Sequence, residues 1–168
     1  MYGHRIHPPA RGEPVERYLP GAHRAVFNAK ALDLGEEIIL ASSPLGCLTF
    51  WVAGHQNAIA SNGVEGFTPL HLAALKRHST RRVLIAYDHT AAGDRGAELV
   101  AATMTAEGIC CYRVEFPKGM TANDYACRLK PAQKSFGLVL RKAAPMLGAR
   151  ARGLPADERR VPSRTRCW

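Results

Sequence analysis

The sequence predicts an α/β protein with a mostly parallel sheet that helices flank on both faces. Apolar runs alternate along the chain with segments of helical spacing, in the order strand, helix, strand, helix, strand, helix, strand. The runs at 37–41 and 82–87 are apolar at nearly every position, as in strands buried on both faces. Helices that connect such strands return the chain to the same end of the sheet, so the strands lie parallel.

The first strand, helix and second strand follow directly from this pattern. Residues 37–41 predict a buried strand, and residues 47–53 predict a short apolar helix. Gly54 is suited to end that helix, because glycine readily adopts the left-handed conformation found at helix C-termini. A second strand is predicted at 57–61.

The next helix has a clear start signal. Thr68 is a suitable N-cap and Pro69 a suitable first helical residue, which predicts a helix that continues over 70–78. The segment 82–87 then forms the most evident strand of the sequence, and it ends at Asp88.

The last predicted elements follow Asp88. A helix is predicted over 92–107, with apolar residues at helical spacing and an end at Gly108. The segment 109–116 predicts another strand, and a final helix is expected around 136–146.

Composition divides the chain into four segments. Residues 1–35 form a lead-in rich in proline and glycine, which favours turns and short strands over long helices. The α/β domain is predicted over 36–130 and a C-terminal helix within 131–148. Residues 149–168 are rich in arginine and proline and predict a flexible basic tail.

The charge of the chain points to an anionic partner. Among the 168 residues, 23 are Lys or Arg and 14 are Asp or Glu, which gives a formal charge of +9. Such a field attracts polyanions, so nucleic acid is the expected partner class, although a basic surface without a partner is the alternative. The chain has no apolar run of the length that spans a membrane, and a cytoplasmic protein is expected.

The cysteines give no sign of a metal or disulfide framework. Their number is odd, and they show neither a CxxC pair nor zinc-finger spacing. We interpret them as reduced thiols that pack as small hydrophobic side chains. They are Cys47, Cys110, Cys111, Cys127 and Cys167.

Three polar segments follow the predicted strands. In an open parallel sheet the ligand site lies outside the carboxyl ends of the strands, which makes these segments the first candidates. They are residues 41–46 (Ala-Ser-Ser-Pro-Leu-Gly), 88–93 (Asp-His-Thr-Ala-Ala-Gly) and 117–124 (Pro-Lys-Gly-Met-Thr-Ala-Asn-Asp).

These segments, in this order, resemble the Toprim domain of bacterial primases. The likeness runs from about residue 36 to residue 126 and is greatest for primase-like proteins carried by bacterial mobile elements. The lead-in is also similar to the segment that precedes Toprim in those primases. The matching motifs are Ala-Ser-Asn-Gly at 60–63, Asp-x-x-x-Ala-Gly at 88–93, Pro-Lys-Gly at 117–119, Tyr-Gly-His-Arg-Ile at 2–6 and Arg-Tyr-Leu-Pro-Gly at 17–21.

The resemblance implies RNA primer synthesis in DNA replication, with Mg²⁺ as cofactor. Toprim domains hold the metal with a glutamate after the first strand, which an aspartate usually follows four residues later, an Asp-x-Asp pair after the third strand and further acids after the fourth. Here those acidic positions are occupied by Ser42, Gly46, Thr90 and Thr121. Only Asp88 is carried over as a catalytic and metal-binding residue, so we expect Mg²⁺ binding and catalysis to be impaired.

Nearby side chains leave alternatives open. His89 is either a ligand or proton shuttle or an inert loop residue, and the second is favoured because neutral imidazole prefers softer metals than Mg²⁺. Asp94 and Glu98 are either substitute acids or part of a solvated helix face, and the solvated face is favoured. Trp51 is interpreted as a core or interface residue rather than a base-stacking one.

Basic residues are the candidates for nucleic-acid binding. Lys118 is the strongest, because the resemblance places Pro-Lys-Gly beside the catalytic cleft. A cluster at one helix-to-strand turn is either a phosphate-binding patch or a solvated connection, and it comprises Lys76, Arg77, Arg81 and Arg82.

Two functions are therefore weighed. One is a protein related to DNA primase with impaired catalysis, and the other is a noncatalytic protein that binds nucleic acid or a partner on a Toprim scaffold. Single-stranded or duplex DNA is the expected ligand, with a helicase or another replication protein as a protein partner. A Toprim nuclease or topoisomerase ranks last, because it requires the same acids that this sequence has lost.

Overall fold

The structure is a computed structural model, and it describes residues 2–5, 7, 10–11, 13, 16–18 and 25–146. In the lead-in, β1 (Tyr2–His4) pairs antiparallel with β2 (Glu16–Tyr18). A short 3₁₀ helix follows at Ala29–Leu34. The short strands and turns predicted for this segment are thus found where it is described, whereas the predicted basic tail at 149–168 lies outside the described residues.

The main sheet has five strands in the order β4-β3-β5-β6-β7. The first four are parallel, and the last runs antiparallel to its neighbour. Five helices connect them, so the predicted mostly parallel sheet is confirmed. The elements in chain order are β3 (Glu37–Ala41), α1 (Pro44–Val52), β4 (Ala58–Ala60), α2 (Pro69–Arg77), β5 (Arg82–Ala86), α3 (Ala91–Ala106), β6 (Cys110–Arg113), α4 (Ala122–Arg128), α5 (Ala132–Arg141) and β7 (Ala144–Pro145).

Both faces of the sheet are buried. Along β3, Ile38 and Leu40 pack with residues of α2 and α3, while Ile39 and Ala41 pack with residues of α1, α4 and α5. This alternation explains why the strand is apolar at nearly every position. The second core contains the rings of Phe50 and Phe136, with centroids 4.4 Å apart.

Helix α1 begins earlier than predicted. It starts at Pro44 rather than at residue 47, because the Ser43 side chain accepts a hydrogen bond from the Gly46 amide at 3.2 Å and caps the helix. Trp51 on this helix is 48% exposed, so the predicted core position is wrong and an interface role remains a prediction.

The C-terminal elements differ most from the prediction. Strand β6 was predicted to end at residue 116 but ends at Arg113. Its pairing with β5 and with β7 also stops at Arg113. Helix α4 was not predicted, because a seven-residue helix of mixed composition has no apolar period to detect. The final helix ends at Arg141 rather than near 146, and β7 follows it as an antiparallel strand.

The outer edge of β4 is covered by side chains. The Asn57 carbonyl and the Ser61 amide form backbone hydrogen bonds with β3. The backbone amides and carbonyls of Ala58 and Ala60 therefore point away from β3, toward the outer edge. The carbonyl oxygen of Ala58 accepts from Asn28 Nδ2 at 2.8 Å, and that of Ala60 accepts from His71 Nε2 at 3.2 Å. Phe27 adds an isolated antiparallel bridge to Ala60.

The described cysteines are free thiols, as predicted. Cys47 and Cys111 are buried, and desolvation raises the pKa of Cys47 to about 12 and that of Cys111 to about 11. Among the described residues, no helix has both the length and the apolar content needed to cross a membrane.

Candidate functional site

The carboxyl ends of the parallel strands gather the polar segments predicted from the sequence. Strand β3 continues to β4 on one side, while β5 lies on its other side, so the order of the strands reverses between β3 and β5. Such a reversal opens a crevice at the carboxyl edge of the sheet. Ala41 and Ala86 are paired in register, so Ser42 and Asp88 leave the sheet on either side of this crevice.

The segment after β3 is tightly packed. Ser42 is 7% exposed, and its carbonyl oxygen accepts a hydrogen bond from the Gly63 amide at 2.5 Å. A side chain at position 46 would place its Cβ 3.3 Å from the Cβ of Ala41, which is closer than ordinary van der Waals contact. An aspartate at this position would therefore require its surroundings to shift.

The segment after β5 is built around the start of α3. The Thr90 hydroxyl accepts from the Gly93 amide at 3.1 Å, so this side chain serves as the helix N-cap. A Cβ on Gly93 would lie 2.1 Å from the carbonyl oxygen of Asp88, which explains the glycine by close approach of the helix. Thr90 stands where the second aspartate of the Asp-x-Asp pair is expected, and its side chain is used to cap the Gly93 amide at the start of α3.

The segment after β6 is held by His89 and by its own helix cap. His89 Nδ1 lies 2.6 Å from the carbonyl oxygen of Phe116, and the His89 carbonyl accepts from the Gly119 amide at 2.9 Å. Thr121 and Asp124 form a reciprocal capping box at the start of α4. The exposed Lys118 therefore lies on a loop that is fixed at both ends.

Arg113 is the residue at this edge that sequence reasoning missed. Its side chain is 9% exposed, and its Nη2 lies 2.7 Å from Oδ1 of Asp94 in an ion pair. The same nitrogen donates to the carbonyl oxygen of Asp88 at 3.1 Å. The Asp94 side chain is 43% exposed, so part of it faces solvent as predicted, and its carboxylate also pairs with the buried Arg113, which was not predicted. Glu98 is exposed, as predicted.

The predicted basic cluster lies elsewhere. Its four residues are at the end of α2 and the start of β5, hence at the amino edge of the sheet, opposite Asp88 and Lys118. Three of them pair with acids: Lys76 with Glu107 at 2.5 Å, Arg81 with Glu36 at 3.2 Å and Arg82 with Glu37 at 3.1 Å. The Arg82 guanidinium also stacks over the Tyr112 ring. Arg77 belongs to the same end of the helix.

The residues at the carboxyl edge do not fit Mg²⁺. Within the described part of the chain, no three His, Cys, Asp or Glu side chains are arranged so that they could hold a metal ion. The hydroxyls of Thr90 and Thr121 are engaged as caps, and Asp94 is neutralised by Arg113. A hard divalent cation needs several oxygen ligands with negative charge, which this edge does not bring together.

Comparisons with solved structures agree with this fold. The chain superimposes on the Aquifex aeolicus primase with a TM-score of 0.70 and 18% identity, covering 86% of this chain and 37% of that one. For a DnaG primase catalytic domain bound to single-stranded DNA the TM-score is 0.64 at 18% identity, over 80% of this chain and 45% of that one. For the RNA polymerase domain of Mycobacterium tuberculosis primase DnaG in complex with double-stranded DNA, the TM-score is 0.63 at 21% identity, over 86% of this chain and 49% of that one.

The chain spans less than half the length of each of these structures. No curated protein matches it significantly. The model of the Toprim-like family, however, matches residues 39–126, which is more than half of the chain. The match contains β5, β6, all but the first two residues of β3, and the segments that follow these strands, including Asp88 and Lys118. The chain therefore belongs to the Toprim-like family, and its domain has the primase-type Toprim fold.

Proposed function

We propose that this chain is a relative of DNA primase that binds nucleic acid and is impaired in primer synthesis. The observation that carries the proposal is the use of Thr90 and Thr121 as helix N-caps where the family resemblance leads us to expect metal-binding acids. With Ser42 and Gly46 at two further acidic positions, Asp88 is the one family ligand that is retained. A single carboxylate attracts Mg²⁺ weakly, since that ion relies on several anionic oxygens.

Binding is less affected than catalysis by these replacements. The chain carries a formal charge of +9, and phosphate contacts require positive charge rather than a complete metal site. Lys118 is exposed on the loop after β6, at the same edge as Asp88. Two of the primase structures with this fold contain single-stranded and double-stranded DNA, which supports DNA as the ligand class.

The amino-edge cluster is the weaker binding candidate. Lys76, Arg81 and Arg82 pair with acids, so each would have to give up a partner to contact a phosphate. We therefore place the principal DNA contact at Lys118. A helicase or other replication protein as a further partner stays a prediction.

DNA affinity as a function of salt tests the binding part. Fluorescence anisotropy with labelled single-stranded and duplex DNA should give a logarithm of the association constant that falls linearly with the logarithm of salt concentration. Lys118→Ala should reduce that slope by about one. Lys76→Ala, at the opposite edge of the sheet, is the matched control and should leave the slope nearly unchanged. Affinity that does not depend on salt would refute electrostatic DNA binding.

Primer synthesis tests the catalytic part. The chain is incubated with a DNA template, ribonucleotides and either Mg²⁺ or Mn²⁺, beside an active primase as positive control. We expect no RNA product above background. An RNA product that disappears in Asp88→Asn would show that the site is active and that the proposed impairment is wrong.

A further inference from the structure

The guanidinium of Arg113 is surrounded by oxygen atoms. Arg113 is the last residue of β6 and is 8% exposed. Its two terminal nitrogens donate to four carbonyl oxygens and one carboxylate. The acceptors are the carbonyls of Ile85 (3.3 Å), Tyr87 (2.7 Å), Val114 (3.1 Å) and Asp88 (3.1 Å) and Oδ1 of Asp94 (2.7 Å).

A charge in such a place requires compensation. Burial removes the water that stabilises a guanidinium, so a buried arginine is retained only where acceptors replace that water. Here the acceptors come from the end of β5 and the two residues after it, from the residue after β6 and from the first turn of α3. One side chain thereby joins the three elements that form the middle of the carboxyl edge.

This oxygen shell is like the one that a hard cation collects. Carbonyl and carboxylate oxygens are the ligands of Ca²⁺ and Mg²⁺ in proteins. In this chain the positive charge at their centre belongs to Arg113, which also neutralises Asp94. A divalent ion that approached Asp88 and Asp94 would meet the like charge of the guanidinium, and repulsion between charges is strong where water is excluded.

We propose that Arg113 is an internal cation that organises the carboxyl edge in place of a divalent metal ion. It is a positioning residue, since it fixes the backbone of Asp88 and the side chain of Asp94 rather than contacting a ligand itself. The inference goes beyond the proposed function, because it concerns how the edge is held and does not depend on DNA binding.

The test compares Arg113→Met with Arg95→Met. Methionine keeps much of the length of arginine without its charge, and Arg95 is an exposed arginine in the first turns of α3. The melting temperature is measured in EDTA and in excess Mn²⁺. Wild type and Arg95→Met should melt at the same temperature in both. Arg113→Met should melt roughly 10 °C lower in EDTA and regain part of that loss in Mn²⁺.

Two further results are decisive if Arg113→Met does not fold. Arg113→Lys keeps the charge with fewer donors, so it should retain more stability than Arg113→Met and stay insensitive to Mn²⁺. Electron paramagnetic resonance of wild type titrated with Mn²⁺ should show no ion bound. The inference would be overturned if wild type bound one equivalent of Mn²⁺ and Asp88→Asn abolished that binding. It would also be overturned if Arg113→Met folded and its melting temperature did not respond to Mn²⁺. Neither outcome bears on DNA affinity.

Discussion

At the start of α4, the side chains of Thr121 and Asp124 each accept a hydrogen bond from the other residue's backbone amide. Oδ2 of Asp124 accepts from the Thr121 amide at 3.1 Å and from the Thr121 hydroxyl at 2.8 Å. The Thr121 hydroxyl accepts in turn from the Asp124 amide at 3.1 Å. A position where the family resemblance leads us to expect a metal-binding acid therefore stabilises a helix terminus in this chain.

Thr121→Ala should destabilise the protein more than Thr121→Ser. Alanine removes the cap and is expected to lower the free energy of unfolding by about 1 kcal/mol. Serine is an equally good N-cap and keeps the hydroxyl that donates to Asp124, so its loss should be under about half of that. Urea denaturation of the two variants measures both values. Equal losses would show that the cap contributes nothing specific.

Acids at the three replaced positions should create a metal site. The variant Ser42→Glu, Thr90→Asp, Thr121→Asp adds three carboxylates near Asp88 and should raise Mg²⁺ affinity by roughly tenfold or more. Isothermal calorimetry measures the affinity, and the same variant with Asp88→Asn is the control. A folded triple variant that binds no Mg²⁺, both with Arg113 present and with Arg113→Met added, would contradict the correspondence of these strand ends with the family's acidic positions.

Stability should fall at acid pH because of His71. The ring is 1% exposed, its Nδ1 lies 3.2 Å from the Thr68 amide and its Nε2 lies 3.2 Å from the Ala60 carbonyl oxygen. These partners hold a neutral ring with the proton on Nε2. Desolvation lowers the pKa of His71 from the ordinary value of 6.5. The unfolded chain then binds the proton more readily, so the stabilisation is complete above pH 6.5 and is lost as pH falls below it.

Denaturant unfolding at about pH 7.5 and about pH 5.5 measures this dependence. His71→Gln should be less stable at the higher pH but should lose less on acidification than wild type. His7→Gln is the control, because His7 is exposed in the lead-in. A full acid-dependent loss in His71→Gln would assign the effect to other groups.

Two helical glycines should respond in opposite ways to alanine. In Gly93→Ala the new Cβ would lie 2.1 Å from the Asp88 carbonyl oxygen, so we expect a loss of about 3 kcal/mol or more. In Gly137→Ala the nearest atom is Arg141 Nη1 at 3.5 Å, so helix propensity should stabilise by about 0.5–1 kcal/mol. Thermal unfolding of both variants checks the signs. A neutral Gly93→Ala would mean that α3 can move away from β5.

Local signals in the sequence predicted the central elements well. Strand β3 was predicted at its observed bounds because both faces of it are apolar, and Thr68 with Pro69 predicted the start of α2. Helix α4 lacks such an apolar period. Its signal is the Thr121-x-x-Asp124 capping box, which identifies the N-terminus of a helix too short to show periodicity.

The surroundings of Arg113 could not be predicted in the same way. Its position in an alternating strand places it on the same face as the buried Cys111, but an arginine there gives no indication of a partner. Its partners come from β5 and from α3, and only the packing of those elements brings them together. The opposite placement of Lys76 and Lys118 is likewise a consequence of topology, because a parallel sheet separates strand starts from strand ends.

The covering of β4 bears on how copies of this molecule can associate. An uncovered edge strand is a template for intermolecular β-pairing, which leads to aggregation. A strand from another chain that approached Ala58 and Ala60 would meet carbonyls already engaged by Asn28 and His71. At the opposite edge, β7 has only two residues, and Pro145 has no amide hydrogen to offer. Both edges of the five-stranded sheet therefore disfavour the addition of a strand from another copy of the chain.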